Sequence, residues 1–225
     1  MCPYSLRMIS KAFIFDMDGV IIHSNPYHKI ALHQFCEKYG YHLTEQELLA
    51  KIYGRTNKQW ITNLFGRNLS PAELEFYAEE KEGMFRELIK NDIKPLAGLR
   101  DFLEQLNAQN FARAIGTSAP RSNVDFVMSK TQLADYFPTV LDDSFVDHGK
   151  PHPEIYLKCA AALGYAPEDC IVFEDSLSGV AAGKASGAKV VGVATTHTFE
   201  ELKETDFVIN DFTDLNAIAL VKSLF

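Results

Sequence analysis

Short apolar runs bounded by turn-forming residues recur along the chain and predict buried β-strands. They lie at 12–15, 112–116, 139–141, 170–173, 190–193 and 207–209. Between most of these runs the apolar positions follow a helical period, at 98–109, 122–133, 153–163, 178–186 and 198–204. Strands that alternate with helices in this way form a parallel sheet covered by helices. The pattern therefore predicts an α/β protein.

One long interval, about 25–91, interrupts the alternation because it contains no convincing strand. Its apolar positions predict helices at 27–39, 45–52, 58–65 and 71–90. Thr44 is followed three residues later by Glu47, and Ser70 is followed by Glu73. This is the spacing of a capping box, which begins a helix. The interval therefore predicts a small helical bundle inserted after the first strand.

The insert joins the rest of the chain through two short linkers, near 23–26 and 92–98, and the second contains a proline and a glycine. Paired short linkers are typical of a hinge. We therefore expect a core domain of residues 1–24 and 94–225 and a helical domain of residues 25–93.

Composition and charge narrow the possible functions. The 225 residues are 47% hydrophobic and 23% charged, which is typical of a globular protein. Asp and Glu number 30 against 22 Lys and Arg, and a net charge of −8 argues against a general nucleic-acid partner. The cysteines lack C-x-x-C spacing, and His42, His148, His152 and His197 lack the spacing of a metal site. We expect reduced thiols and no zinc site.

Membrane insertion and secretion are also disfavoured. No apolar run approaches the roughly 20 residues that a membrane helix requires. The apolar run near the start of the chain carries Asp16 and Asp18, unlike the core of a signal peptide. We therefore expect a cytoplasmic protein without a membrane partner, and no obligatory protein partner is inferred.

Polar residues follow several predicted strands, where an open α/β sheet forms its ligand crevice. They are Asp16 and Asp18 after the first strand, Thr117 and Ser118 after the second, Glu174 and Asp175 after a later one, and Lys150 before a helix. Singly, each has a structural explanation as a cap or a solvated charge. Together they offer carboxylates for a hard cation, a nucleophile, a balancing lysine and hydroxyls for phosphate oxygens. Neither G-x-G-x-x-G nor a P-loop occurs, which disfavours a dinucleotide or P-loop site.

Four segments resemble the motifs of the haloacid dehalogenase superfamily of phosphotransferases: DMDGV, GTSA, GKPHPEIY and FEDSLSGVAAGKASGA. The segment DMDGVIIHSNPYH and the helical insert resemble in particular the subgroup that contains β-phosphoglucomutase and small sugar-phosphate phosphatases. The resemblance covers nearly the whole chain. It implies a Rossmann-like three-layer core with a parallel sheet, plus an inserted α-helical cap domain.

The resemblance also implies a role for each strand-end residue. Asp16 would attack phosphorus to form an aspartyl phosphate, and Asp18 would protonate the leaving oxygen and later deprotonate a water molecule. Thr117 and the Ser118 amide would donate to the phosphoryl group, and Lys150 would neutralise negative charge. A dehalogenase of the superfamily lacks the second aspartate, so Asp18 favours phosphoryl transfer.

Magnesium is the cofactor that the resemblance implies. The Asp16 carboxylate, the Asp18 main-chain carbonyl and Asp175 would hold it, with Glu174 as a further ligand or beside the ligands. Oxygen ligands suit Mg²⁺.

In the insert, the resemblance implies a cap that closes over the site and recognises the substrate. His28 matches a histidine of mutase-like members, and Lys81 matches a lysine that contacts phosphate. Asn57 stands where the mutase has an arginine, which weakens the mutase hypothesis because arginine forks grip phosphate best. Arg55 is a substitute candidate. The alternative for His28, Arg55 and Lys81 is an exposed surface position.

The leading hypothesis is a Mg²⁺-dependent phosphatase of small phosphorylated metabolites, of the sugar-phosphate type. β-Phosphoglucomutase and inorganic pyrophosphatase remain alternatives with the same core chemistry. A phosphorylatable receiver-like regulatory domain is an alternative of another class. Receivers lack both the second aspartate and an insert of more than sixty residues, so the order of motifs favours the enzyme.

Overall fold

The computed structural model describes residues 11–52 and 57–225. Its residues divide into two compact units. The first unit consists of the described residues of Met1–His23 together with Ile93–Phe225, and the second consists of those of Ser24–Asp92. Within the described residues, no helix has both the length and the apolar character needed to cross a membrane.

The first unit is built on a parallel sheet in which the described residues form six strands. The strands are β1 Ala12–Phe15, β2 Ala112–Gly116, β3 Thr139–Leu141, β4 Cys170–Glu174, β5 Lys189–Val193 and β6 Phe207–Ile209. Their order is β3-β2-β1-β4-β5-β6, and each neighbouring pair is parallel. All six predicted strands are confirmed. This order is that of a doubly wound Rossmann-like sheet, so the predicted fold class is confirmed as well.

Nine α-helices lie in the part of the chain that the structure describes. They are α1 Asn25–Lys38, α2 Glu45–Lys51, α3 Asn57–Phe65, α4 Pro71–Ile89, α5 Leu99–Ala108, α6 Arg121–Thr131, α7 Glu154–Leu163, α8 Leu177–Ser186 and α9 Ala217–Leu224. The first four belong to the second unit, and the other five belong to the first. The sequence analysis had assigned no element to α9.

The predicted helix at 198–204 is wrong, because these residues form a series of turns. The start signal is present, since Thr198 and Glu201 exchange side-chain and backbone hydrogen bonds as in a capping box. The turns end where the Thr205 hydroxyl donates to the carbonyl oxygen of Leu202 (2.7 Å), and β6 begins at Phe207. The start signal is therefore not followed by regular helix.

The central strand β1 is buried on both faces, as expected for a parallel sheet between two helical layers. Phe13 and Phe15 point to one face, where their rings stack on Phe173 of β4. Ala12 and Ile14 point to the other face and pack in a core cluster with residues of α7 and α8. Buried packing on both faces fixes where β1 ends, and therefore where the following polar residues lie.

The second unit has its own apolar core, which is dominated by aromatic side chains. Phe35, Trp60 and Leu64 are buried in it, and the ring of Phe35 meets that of Trp60 edge to face. The two predicted capping boxes, at Thr44 and Ser70, are confirmed and begin α2 and α4. The described cysteines, Cys36, Cys159 and Cys170, are free and buried.

Candidate active site

The sheet places its first and fourth strands side by side, and the strand order reverses between them. In an open parallel sheet this reversal opens a crevice at the carboxyl ends of the strands. Asp16 directly follows β1, Glu174 ends β4, and Asp175 comes next in the chain. The Asp16 amide donates to the carbonyl oxygen of Phe173 at 3.0 Å, which ties the two strand ends together. Three acidic side chains therefore meet at the crevice.

Lys150 brings a positive charge to this acidic group. Its Nζ donates to Oδ1 of Asp16 at 2.7 Å and to Oε1 of Glu174 at 2.5 Å. The lysine side chain is only 7% exposed. Burial alone would lower the pKa of Lys150, but the two carboxylates outweigh burial and raise its pKa above the usual value. The lysine is therefore a fixed cation between the two strand ends.

Glu174 is fully buried and accepts hydrogen bonds at both oxygens. Oε1 accepts from Lys150 and from the hydroxyl of Tyr156 (2.6 Å). Oε2 accepts from the amides of Asp175 (3.0 Å) and Ser176 (3.1 Å) and from the Ser176 hydroxyl (3.0 Å). Burial raises the pKa of Glu174, but Lys150 and these donors outweigh it and lower the pKa. Glu174 is thus an ionised anchor for Lys150.

A glycine makes room for this carboxylate. A Cβ added to Gly179, in the first turn of α8, would lie 1.8 Å from Oε1 of Glu174. That separation is shorter than any non-bonded contact, and the five hydrogen bonds to Glu174 leave the carboxylate no freedom to move aside. The site therefore requires a residue without a side chain at Gly179, because any Cβ there would overlap the carboxylate of Glu174.

Asp16 and Asp175 carry the unbalanced charge of the cluster. Burial, opposed by Lys150 and reinforced by Glu174 and Asp18, raises the pKa of Asp16 to about 7. Burial and the neighbouring Glu174 and Asp16 raise the pKa of Asp175 to about 8, although the Thr196 hydroxyl donates to its Oδ2. Carboxylate oxygens of Asp16, Glu174 and Asp175 lie within 4.8 Å of one another.

This donor set fits a hard divalent cation. All of its ligand atoms are oxygens, which Mg²⁺ prefers. Three buried carboxylates face one lysine, so a cation would neutralise the remaining negative charge. Burial, together with this charge excess, raises the pKa values of Asp16 and Asp175.

Thr117 follows the end of β2 and is 2% exposed. Its amide donates to the carbonyl oxygen of Leu141 (3.0 Å), and its hydroxyl oxygen accepts from the amide of Ala119 (3.1 Å). Since the hydroxyl acts as an acceptor there, its own proton remains available to a ligand. Ser118 is exposed.

Asp18 lies on the turn that leaves β1 and is partly exposed, in contrast to the buried Asp16. Gly19 follows it with a φ of 78°, a left-handed conformation that favours glycine. The carbonyl oxygen of Gly19 accepts from the Thr195 hydroxyl (2.5 Å). The turn is thereby fixed to the loop after β5.

Two of the residues predicted in the insert meet in the second unit. Nζ of Lys81 lies 2.9 Å from Nδ1 of His28 and donates to Oε1 of Glu82 at 2.9 Å. The His28 ring stacks on Phe85, with the centroids 3.7 Å apart. Lys81 is 8% exposed, so the alternative of a solvated surface charge is wrong for it.

Of the other two predicted residues of the insert, the structure describes Asn57. It begins α3, and its Oδ1 accepts from Nε1 of Trp60 at 2.8 Å. Arg55 lies outside the described residues.

Sequence reasoning missed Tyr156, Thr196 and Gly179 as parts of the site. Tyr156 is almost fully buried, and its ring also lies under the Lys150 ammonium, 4.9 Å from the centroid. It is the tyrosine of GKPHPEIY, so the signal was a buried aromatic six residues after the lysine. Thr196 carried no such signal.

The family model for haloacid dehalogenase-like hydrolases matches residues 13–193. The chain belongs to the haloacid dehalogenase-like hydrolases. A phosphorylated carbohydrates phosphatase of Thermotoga maritima is 33% identical over 217 residues, which cover 94% of each chain. As expected from the motifs, the chain is a phosphatase of this family, that is, a phosphoric monoester hydrolase. Family membership favours this enzyme over the receiver-like regulatory alternative.

Solved structures agree with this assignment. A haloacid dehalogenase hydrolase of family IA, variant 3, from Entamoeba histolytica has a TM-score of 0.87 and 32% identity, over 95% of this chain and 99% of that chain. A β-phosphoglucomutase from Clostridium difficile has a TM-score of 0.79 and 29% identity, over 95% and 96%. Within its family, the chain is therefore similar to β-phosphoglucomutase.

Proposed function

We propose that this phosphatase hydrolyses small phosphorylated metabolites of the sugar-phosphate type, with Mg²⁺, through an aspartyl phosphate on Asp16. The observation that carries the proposal is the buried contact between Asp16 and Lys150 (2.7 Å) inside an all-oxygen acidic cluster. The name of the Thermotoga maritima relative, a phosphorylated carbohydrates phosphatase, supports the substrate class.

In the first half of the reaction, a carboxylate oxygen of Asp16 attacks phosphorus, and the bond from phosphorus to the leaving oxygen breaks. Asp18 gives its proton to that oxygen, so the product leaves as a neutral alcohol. Asp18 suits this task because it is partly exposed, two residues after the buried nucleophile. In the second half, Asp18 removes a proton from water, water attacks phosphorus, and phosphate leaves Asp16.

The other strand-end residues hold the transferring group. The Thr117 hydroxyl, already oriented by the Ala119 amide, donates its proton to a phosphoryl oxygen, and the exposed Ser118 contributes its amide. Lys150 orients Asp16 and offsets the negative charge of the phosphoryl group. Positioned charges of this kind provide most of the catalysis of phosphoryl transfer.

The carboxylates of Asp16 and Asp175 and the carbonyl of Asp18 would hold Mg²⁺, with Glu174 beside them. When bound, the ion supplies positive charge that neutralises the phosphate and the cluster. The contacts of Glu174 favour the role of neighbour over that of ligand, because both of its oxygens already accept hydrogen bonds.

We assign the second unit, Ser24–Asp92, as a cap that excludes water and recognises the rest of the substrate. Its candidate contacts are the buried Lys81, which is held by His28 and Glu82, and Arg55. Asn57 is a poor replacement for a phosphate-gripping arginine, because its amide is neutral and lacks the bidentate fork of donors. The neutral side chain favours hydrolysis over the mutase reaction, which needs a grip on a second phosphate.

The test measures phosphate release from a panel of sugar phosphates and pyrophosphate with Mg²⁺, beside conversion of β-glucose 1-phosphate primed with bisphosphate. Asp16→Asn should reduce release by about a thousandfold or more, and Asp18→Asn by about 10² to 10⁴. The exposed Asp135→Asn in the same unit is the matched control and should be unchanged. Isomerisation without phosphate release would refute the hydrolase, and release that survives Asp16→Asn would refute the nucleophile.

A further inference from the structure

A second cluster of metal-binding side chains lies on the loop before α7, outside the acidic group. Nδ1 of His148 lies 3.3 Å from Oε2 of Glu154, and Nδ1 of His152 lies 4.0 Å from the same oxygen. The two imidazole rings face each other, with centroids 4.8 Å apart. One ligand atom from each of these three residues lies within 4.8 Å of the others. This arrangement departs from the sequence analysis, which found no metal-site spacing among His148 and His152 and expected no zinc site.

The carboxylate of this cluster is held in place by the protein. Oε1 of Glu154 accepts from Lys158 (2.6 Å) and from the amide of Asp147 (3.2 Å). Oε2 accepts from the amide of His148 (3.0 Å) and faces both imidazoles. Glu154 is 14% exposed, whereas His148 and His152 are 69% and 50% exposed. A rigid oxygen therefore sits under two accessible nitrogen ligands, with open solvent above for an ion to enter.

The chemistry of the donors selects the kind of ion. Two imidazoles and one carboxylate form the ligand set of borderline metals such as Zn²⁺, whereas Mg²⁺ prefers oxygen. Tetrahedral zinc with bonds of 2.0–2.1 Å separates its ligand atoms by about 3.3 Å. The separation of His148 Nδ1 from Glu154 Oε2 matches this value, and that of His152 needs only a small rotation of an exposed ring.

We propose that His148, His152 and Glu154 form a binding site for a transition-metal ion of the Zn²⁺ class, separate from the carboxylates at the strand ends. His148 and His152 lie two residues before and two residues after Lys150 in the chain. An ion that joins them therefore clamps the loop that delivers Lys150 to Asp16. Water completes the coordination from the solvent side.

The experiment titrates metal-free full-length protein with Zn²⁺ against a chromogenic chelator. It uses two backgrounds that disfavour Zn²⁺ at the strand-end carboxylates: the wild type in saturating Mg²⁺, which competes for them, and Asp175→Asn, which removes one of them. We expect one equivalent of Zn²⁺ in both. His148→Asn and His152→Asn should each weaken binding by about tenfold or more, since even outer-shell changes cost 10- to 100-fold.

The matched control is His197→Asn. His197 also faces a glutamate, Glu201, at 3.5 Å, but among the described residues it belongs neither to the strand-end carboxylate cluster nor to the cluster of His148, His152 and Glu154. It should bind Zn²⁺ as the wild type does. Co²⁺ in place of Zn²⁺ should give visible absorption bands of nitrogen ligation that both loop variants lose. Zn²⁺ affinity that is unchanged in His148→Asn and His152→Asn, or that falls equally in His197→Asn, would overturn the proposal. The readout is binding, so it is independent of the proposed reaction.

Discussion

The hydroxyl of Tyr156 offers the sharpest test of how the acidic cluster is organised. It donates to Oε1 of Glu174 at 2.6 Å, the same oxygen that accepts from Lys150. Burial and the nearby carboxylates raise the pKa of Tyr156 well above its usual value, so the hydroxyl keeps its proton. Tyr156→Phe removes this one donor, while the phenyl ring keeps its place under the Lys150 ammonium.

The expected loss of stability in Tyr156→Phe follows from the type of hydrogen bond that is removed. A buried hydrogen bond to a charged group is worth about 1.5–3 kcal/mol. For a chain of this size 1 kcal/mol shifts Tm by about 2–4 °C, so Tyr156→Phe should lower Tm by about 3–12 °C. In the variant, Glu174 has lost the Tyr156 hydroxyl as a donor and therefore attracts Lys150 more strongly. Lys150 then neutralises less of the negative charge of Asp16. A barrier increase of about 1.4 kcal/mol would reduce kcat about tenfold.

Thermal unfolding and steady-state kinetics of phosphate release measure the two effects separately. The loss should be in kcat, with little change in KM, because the cap and its substrate contacts are untouched. Tyr165→Phe is the matched control, since Tyr165 packs against the same core cluster but outside the acidic group. A variant with lower Tm and wild-type kcat would show that the bond from Tyr156 to Glu174 only stabilises the fold. It would refute the argument that this bond positions Lys150 for catalysis.

Three further predictions concern the same cluster. Gly179→Ala should abolish activity and lower Tm, because its Cβ would lie 1.8 Å from Glu174 Oε1, whereas Gly83→Ala, with its nearest contact at 3.7 Å, should fold and work normally. In chelator, the free energy of unfolding should fall from about pH 5 to pH 8, because the folded pKa values of Asp16 and Asp175 lie near 7 and 8 and unfolding releases their protons. This range lies above the one in which carboxylates with lowered pKa values, such as Glu73 and Glu154, add stability as pH rises. Denaturant titrations that show a rise from about pH 5 to pH 8 would contradict the prediction. Asp175→Asn should raise Tm in chelator at pH 8 by about 2–4 °C, corresponding to about 1 kcal/mol. It should also remove the stabilisation that Mg²⁺ gives the wild type. A lower Tm in chelator would refute the argument that the negative charge of Asp175 destabilises the metal-free cluster.

The sheet was predictable because its central strands are buried on both faces. A strand such as β1, buried throughout, leaves an uninterrupted apolar run in the sequence. The capping boxes at Thr44 and Ser70 were equally clear, since both halves of the motif lie within four residues. The same motif occurs at Thr198 but is followed only by turns, because a cap marks where a helix can begin and does not determine its length.

The site was predictable only at the level of strand ends. Sequence placed Asp16, Glu174 and Lys150 near the crevice, but the partners that hold them come from distant turns. Thr196 reaches Asp175 from the loop after β5, and no local pattern marks a single threonine. Gly179 looks like one of several small residues in α8 until the carboxylate above it is seen. Contacts of this kind depend on the tertiary fold.

The acidic cluster is better explained by function than by stability. A buried carboxylate stabilises a fold only when it is fully paired, and Glu174 meets that condition through Lys150 and four other donors. Burial is costly for Asp16 and Asp175, since it raises their pKa values to about 7 and 8 in spite of the lysine. A bound cation would offset this cost, which agrees with the proposal that the cluster holds Mg²⁺. Glu174, saturated by its five donors, would then act on Asp16 through the shared Lys150.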